Sequence, residues 1–133
     1  MQLHVLRRTP CLTAYYDFRN DWLYLDWQGD VTLPDVQDAC LELATCYLQR
    51  PYLRVLNNNE QVTGVSWSVA AWLATDFLPL MSVAGVKQVA WVYSPSLRGR
   101  SMVQTVLNWL PGQLLTAFED LASDVEWLTH TRT

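Results

Sequence analysis

The sequence predicts a single α/β domain over residues 1–133, with four helices and a mixed, mainly parallel sheet of five strands that begins with an antiparallel hairpin. After the hairpin, short β-forming runs alternate with amphipathic helical runs, a pattern typical of parallel strands joined by helices. The central stretch from Tyr52 to Trp72 contains one such unit, in which an apolar run is followed by polar residues and a helical pattern. These observations predict the order β-β-α-β-α-β-α-β-α.

The composition favours one folded domain and excludes some functions. Half of the 133 residues are hydrophobic and 17% are charged, which is atypical of a disordered chain. The net charge of −4 argues against a nucleic-acid binder, because affinity for phosphate needs a basic face. No apolar run approaches the roughly 20 residues that span a bilayer. We therefore expect a cytoplasmic protein with no membrane span.

The first half of the chain predicts a hairpin, a helix and a buried strand. Leu12–Phe18 and Trp22–Gln28 are β-forming runs separated by three turn-forming residues, which predicts an antiparallel hairpin. Thr32 is the predicted N-cap of a helix over Leu33–Gln49. The apolar run Tyr52–Leu56 then predicts a strand parallel to its predecessor, because a helix separates the two.

The second half continues the alternation. Polar residues from Asn57 to Gly64 predict a turn, and the following pattern predicts a helix over Ser66–Leu80 with Pro79 near its end. Gly85 is the predicted break after that helix, since glycine adopts left-handed conformations readily. The remaining predicted elements are a strand over Val86–Tyr93, a loop over Ser94–Arg100, a helix over Ser101–Trp109, a strand over Gln113–Phe118 and a helix over Glu119–His130.

The residue types that commonly carry chemistry form no recognisable constellation. Cys11, Cys40 and Cys46 lack metal-ligand spacing and are predicted to be buried free thiols. Asp26 lies within a predicted strand beside two aromatic residues. Its side chain is expected to be a half-exposed carboxylate, with an acid of shifted pKa as the alternative. The two histidines lie near the chain ends. The sequence therefore predicts no enzyme, no metal and no cofactor.

Several short motifs carry a family resemblance over residues 12–129. Val55–Asn59, ahead of a helix, resembles the segment after a central strand in small STAS-like proteins. Gly85–Ala90 resembles the Gly-x-Lys-x-x-Ala strand entry of that group, and Ala117–Asp120 with Glu126–Leu128 is similar to its Phe-x-Asp…Trp-Leu ending. The resemblance is to the SpoIIAA-like branch of STAS folds, bacterial proteins that are largely uncharacterised. It implies a mixed sheet with helices packed against it and a protein-interaction role.

The same resemblance raises the question of a regulatory serine. In the anti-anti-sigma members, a serine at the start of the helix after a central strand is phosphorylated within an Asp-x-Ser motif. This chain has Asn57–Glu60 at that turn, so the phosphorylation site is not carried over. Ser66 is predicted to be an N-cap, with a regulatory hydroxyl as the alternative.

One edge of the predicted sheet is the candidate site for a ligand or partner. The carboxyl ends of parallel strands meet there, and ligands of open α/β folds bind at such an edge. Arg98 and Arg100, next to a helix N-terminus, are suited to a phosphate or carboxylate, with a solvated basic loop as the alternative. The residues predicted to form the edge are Asn57, Asn58, Asn59, Ser94, Arg98 and Arg100.

Two tryptophans are the candidate interface aromatics. Trp67 lies on a different helical face from Trp72, and Trp127 falls off the face that Val125 and Leu128 share. An exposed indole is typical of an interface, although partly buried surface packing is the alternative. The leading hypothesis is a non-catalytic STAS-like interaction or regulatory module with a protein partner or a homodimer. The alternative is a domain that binds a small anion or a lipid-type ligand.

Overall fold

The computed structural model describes residues 2–94, 101, 104 and 115–130. Within them, six strands form one sheet in the order β1-β2-β3-β4-β5-β6. Neighbouring strands are antiparallel from β1 to β3 and parallel from β3 to β6. The predicted fold class is confirmed, and β1 adds a sixth strand to the predicted five. The strands are Leu3–Arg8 (β1), Leu12–Asp17 (β2), Trp22–Val31 (β3), Arg54–Val65 (β4), Gln88–Val92 (β5) and Leu115–Phe118 (β6).

Helices cover both faces of the sheet. Ser101 and Gln104 are helical, while the rest of the predicted helix over 101–109 and residues 95–100 lie outside the described residues. Among the helices that the structure describes, none is both long and apolar enough to cross a bilayer. Their bounds are Leu33–Gln49 (α1), Trp67–Trp72 (α2), Leu78–Val83 (α3) and Leu121–His130 (α4), with a π-helical segment, Leu73–Phe77, between α2 and α3.

The first helix has the bounds that the sequence predicts. The Thr32 hydroxyl accepts a hydrogen bond from the Asp35 backbone N–H at 3.4 Å and so caps the first turn. All three cysteines are free and buried, as predicted. Burial raises the pKa of the Cys40 thiol, which lies on the buried face of α1, well above its usual value.

The predicted turn at Asn57–Gly64 is wrong, because these residues continue β4 to Val65. β3 pairs with β4 from Leu23–Val55 to Val31–Val65. On the other side, β5 pairs with β4 as far as Asn58. These two neighbours supply the backbone hydrogen bonds that a central strand needs, which outweighs the low strand propensity of asparagine.

Alternation along the central strands divides the core into two layers. Leu25, Val55 and Val89 face α1, α2 and α3 within the larger buried cluster. Leu56 and Ala90 point to the opposite face, where they pack with Leu128 of α4. A fully buried aliphatic side chain stabilises the fold by about 1.5–3 kcal/mol, so both layers hold the sheet in place.

The helical wall from α2 to α3 contains one irregular turn. The predicted helix Ser66–Leu80 extends to Val83, and the Leu78 N–H donates to the Leu73 carbonyl across the π-helical segment. Pro79 follows directly. Its ring would clash with the carbonyl four residues earlier in a regular α-helix, and the wider turn relieves that clash. Gly85, at φ +105°, ends the wall as predicted.

Arg54 connects the start of β4 to two other parts of the fold. Its guanidinium donates to the Leu128 carbonyl in α4 at 2.9 Å and to the Asn20 carbonyl in the β2–β3 turn. It also lies 5.3 Å above the centre of the Trp22 ring. One cation therefore bridges the last helix and the hairpin.

Candidate functional site

The three asparagines of β4 lie inside the sheet rather than in an exposed turn, and each amide has a partner. Asn57 and Asn59 face the α2–α3 wall, and Asn58 faces the opposite side because side chains alternate along a strand. The Asn57 Oδ1 accepts a hydrogen bond from the Trp27 Nε1–H at 2.7 Å. The Asn59 amide donates to the Val92 carbonyl at 3.0 Å. The three side chains are buried. That they contact a ligand or a partner stays a prediction.

A largely apolar cavity lies between β3–β5 and the α2–α3 wall, and we call it the Asn57 cavity. Its volume is about 70 Å³, measured as the space open to the centre of a water molecule. None of the described residues around it carries a charge. They are Leu25, Trp27, Val31, Val36, Asn57, Asn59, Val62, Val65, Val69, Leu73, Phe77, Leu78, Met81, Val89, Trp91 and Ser94.

Two residues that line the Asn57 cavity carry hydrogen-bond donors without acceptors. In the part of the chain that the structure describes, neither the Asn57 Nδ2 nor the Trp91 Nε1 has a partner, and both atoms are buried. Asn57 and Trp91 are paired across β4 and β5, so their side chains are neighbours on one face of the sheet. A buried donor without an acceptor lowers the stability of the folded state by about 1–3 kcal/mol. Two such donors on neighbouring residues distinguish this cavity.

The opposite face of the same strands carries a polar aromatic group. The Asn58 amide donates to the Tyr24 hydroxyl at 2.9 Å, and Tyr24 meets Tyr15 edge-on, with ring centres 5.7 Å apart. Asp26 is partly buried, and its Oδ1 has no donor among the described residues. Burial raises the pKa of Asp26. The partial burial of Asp26 agrees with the predicted half-exposed strand position, and the raised pKa agrees with the other alternative.

The partly buried Ser66 and the exposed Trp67 lie at the start of α2. Ser66 directly precedes the helix, and its Oγ lies 2.8 Å from the Ser68 Oγ. Trp67 is 49% exposed. Beside them is a shallow depression lined by Asp30, Val31, Thr32, Thr63, Gly64, Val65 and Ser66. A regulatory role for the Ser66 hydroxyl stays a prediction.

Of the remaining candidate residues, Ser94 joins Asn57 and Asn59 in lining the Asn57 cavity. Ser94, after β5, is buried and donates to the Val62 carbonyl at 3.2 Å. Arg98 and Arg100 lie outside the described residues, so the anion-binding alternative stays a prediction. Trp127 is partly buried, and its ring centre lies 5.6 Å from that of Phe118. This partial burial agrees with the alternative of surface packing, and the role of Trp127 as an interface aromatic stays a prediction.

Sequence reasoning missed the indoles of Trp27 and Trp91 as cavity residues. Both lie in predicted strands, and their period-two alternation with Leu25 and Val89 was the available signal. A metal centre also has no support within the described ranges, where no group of three or more His, Cys, Asp and Glu side chains is arranged to hold an ion.

Comparison with solved structures identifies the fold. The anti-sigma factor antagonist SpoIIAA, in its unphosphorylated form, aligns over 98% of this chain and 99% of its own, with a TM-score of 0.60 and 13% sequence identity. The chain has a SpoIIAA-like fold. An uncharacterised protein of the DUF3478 family from Shewanella loihica PV-4, with the same fold, aligns over 95% of this chain and 91% of its own at a TM-score of 0.52 and 24% identity.

The SpoIIAA-like fold is what these likenesses establish. No protein-family model and no curated protein matches the sequence. Since one fold serves many functions, function has to be argued from particular residues.

Proposed function

We propose that the chain is a non-catalytic protein-interaction module that contacts its partner through the surface around Trp67. The fold is shared with a protein described as an anti-sigma factor antagonist, which supports an interaction role by analogy alone. The observation that carries the proposal is the half-exposed indole of Trp67 at the start of α2.

An indole in this position suits an interface better than a monomer surface. Tryptophan has a large apolar area and a polar N–H, and it is enriched among the residues that dominate binding energies. At 49% exposure, much of the Trp67 ring contacts water. A partner that covers the ring would remove this apolar area from solvent, which is favourable.

The surroundings of Trp67 indicate the chemistry of the partner. Between Arg54 and Lys87 the sequence contains no lysine or arginine, and Asp30, which lines the neighbouring depression, is exposed. The Ser68 hydroxyl is also exposed and can donate or accept hydrogen bonds. The expected partner surface is an apolar socket for the indole, bordered by basic or hydrogen-bonding groups.

The test uses the full chain and two variants that each remove an exposed aromatic ring. Trp67→Ser removes the proposed contact, and Phe18→Ser is the matched control because Phe18, in the hairpin turn, is 56% exposed. Sedimentation velocity at several concentrations detects a homodimer, and cross-linking followed by mass spectrometry of a source-cell lysate identifies another partner and its contact site.

We expect Trp67→Ser to lose the association and Phe18→Ser to retain it, with cross-links located around Trp67. A wild-type chain that stays monomeric and cross-links to no specific protein would contradict the proposal. Equal association of wild type and Trp67→Ser would contradict the assignment of the surface.

A further inference from the structure

We propose that the Asn57 cavity binds a small, neutral, mainly apolar molecule that carries one hydrogen-bond acceptor, such as a ketone, an ester or an amide. The cavity lies next to the depression beside Trp67 and shares Val31 and Val65 with it, but the inference does not depend on the proposed interaction role. It rests on the two unpartnered donors, on the uncharged lining and on the shape of the helical wall.

The donors define the ligand group because neither can act as an acceptor. Tryptophan offers only its N–H. Asn57 could in principle rotate its amide, but its Oδ1 already accepts a hydrogen bond from the Trp27 Nε1–H at 2.7 Å. This bond fixes the Nδ2 on the unpartnered side. Asn57 is only 4% exposed, so bulk water does not satisfy that donor, and a carbonyl oxygen would.

The lining favours a neutral ligand over an anion. The described residues around the cavity are aliphatic, aromatic or uncharged polar. A carboxylate or phosphate would lose its hydration there without meeting a cation, and the transfer of an unpaired charge into such surroundings is strongly unfavourable. A carbonyl compound gains the two hydrogen bonds at a smaller desolvation cost.

The volume of the cavity limits the size of the ligand, and its helical wall has a feature that is common at functional sites. A volume of about 70 Å³ exceeds what a single water molecule needs, and it suits an acetyl-sized group with the rest of the molecule toward the opening. Leu73 and Phe77, both cavity residues, belong to the π-helical segment. Such segments occur frequently at functional sites.

The test compares three probes of similar size in the full chain. Acetophenone has a neutral acceptor, ethylbenzene lacks one, and benzoate carries a charged acceptor. The indole cross-peaks of a ¹⁵N-labelled sample report binding at Trp91 directly, with its signal assigned by its loss in Trp91→Phe. Thermal unfolding reports the stabilisation that binding to the native state produces.

We expect acetophenone to shift the Trp91 indole signal and raise the melting temperature, with ethylbenzene weaker and benzoate inactive. Trp91→Phe should weaken acetophenone binding about five-fold more than ethylbenzene binding, the effect of one neutral hydrogen bond, because the loss of ring area affects both ligands. No response to acetophenone, an equal response to ethylbenzene, or a stronger response to benzoate would overturn the proposal.

A second pair of variants tests the location. Val69→Phe adds a ring at a cavity residue of α2, and Val83→Phe makes the same change at a position that is 86% exposed in α3. We expect Val69→Phe to abolish acetophenone binding and Val83→Phe to preserve it. Retained binding in a folded Val69→Phe variant, shown by an unchanged circular dichroism spectrum, would exclude the cavity as the site.

Discussion

The bridging role of Arg54 gives a prediction whose size follows from its contacts. Arg54→Met keeps an aliphatic stem but removes the hydrogen bonds to the carbonyls of Leu128 and Asn20 and the contact with the Trp22 ring. A hydrogen bond to a charged group contributes about 1.5–3 kcal/mol when buried, and the contribution is smaller at this partly exposed position. The cation–π contact adds about 0.5–1 kcal/mol. We expect a loss of about 3 kcal/mol in the free energy of unfolding.

Arg50→Met is the matched control. Arg50 pairs with Asp21 at 3.2 Å, but the two side chains are 46% and 68% exposed, and the same exposed guanidinium makes the contacts with the Tyr16 and Tyr52 rings. Exposed pairs of this kind contribute little, so we expect a loss of about 1 kcal/mol.

Equilibrium urea unfolding, followed by far-ultraviolet circular dichroism, measures both variants. Hydrogen exchange adds a local readout, since loss of the Arg54 bridge should increase exchange in α4 more than in α1. If Arg54→Met costs no more than Arg50→Met, or if α4 exchanges no faster, the bridge is refuted as a source of stability.

Three further predictions concern single groups. Burial raises the pKa of Asp26, so the folded chain keeps this proton to a higher pH than the unfolded chain, and stability falls as pH rises above the ordinary value of 3.8. Asp26→Asn should therefore raise the free energy of unfolding at neutral pH and give no gain below that value; a gain independent of pH in urea titrations would contradict this. Thr32→Ala removes the cap of α1 and should cost about 1 kcal/mol in thermal or urea unfolding, whereas Thr45→Ala, at an exposed position within the same helix, should cost nothing. The buried Cys40 thiol should react with a disulfide reagent only after unfolding, and fast reaction in native buffer would show that α1 opens.

The parts of the fold that depend on periodic patterns could be predicted. The bounds of α1 match because Thr32 caps its start and Arg50-Pro51 ends it. The hairpin was predicted correctly because turn-forming residues separate two β-forming runs. Each of these signals is local, so the sequence alone reveals it.

The extension of β4 could not be predicted by the same rules. Asn57, Asn58 and Asn59 read as a turn because asparagine is depleted in strands. Their amides instead bond to groups on β3 and β5, among them the Trp27 indole and the Tyr24 hydroxyl, which lie far away in sequence. Only the assembled sheet brings these partners together.

The sequence singled out residues that line the Asn57 cavity, but for a different structural reason. Asn57 and Ser94 do line one cavity, but as buried groups rather than as the rim of an open edge. Trp67 is exposed, as its position on the helix predicted. Trp91 was not singled out, because its importance depends on an unmet hydrogen bond that no sequence pattern records.

The spacing of apolar residues along the α2–α3 wall explains why it needs one wide turn. Val69, Leu73, Phe77 and Met81 all line the cavity and follow one another at intervals of four residues. In a continuous α-helix each interval overshoots a full turn by about 40°, so Met81 would point about 120° away from Val69. The π-helical segment takes up this rotation, since its hydrogen bonds span five residues. Three turns of the segment from Val69 to Met81 thus contain about one residue more than three α-helical turns would. Because of this extra residue, all four side chains lie on the same face and line the cavity.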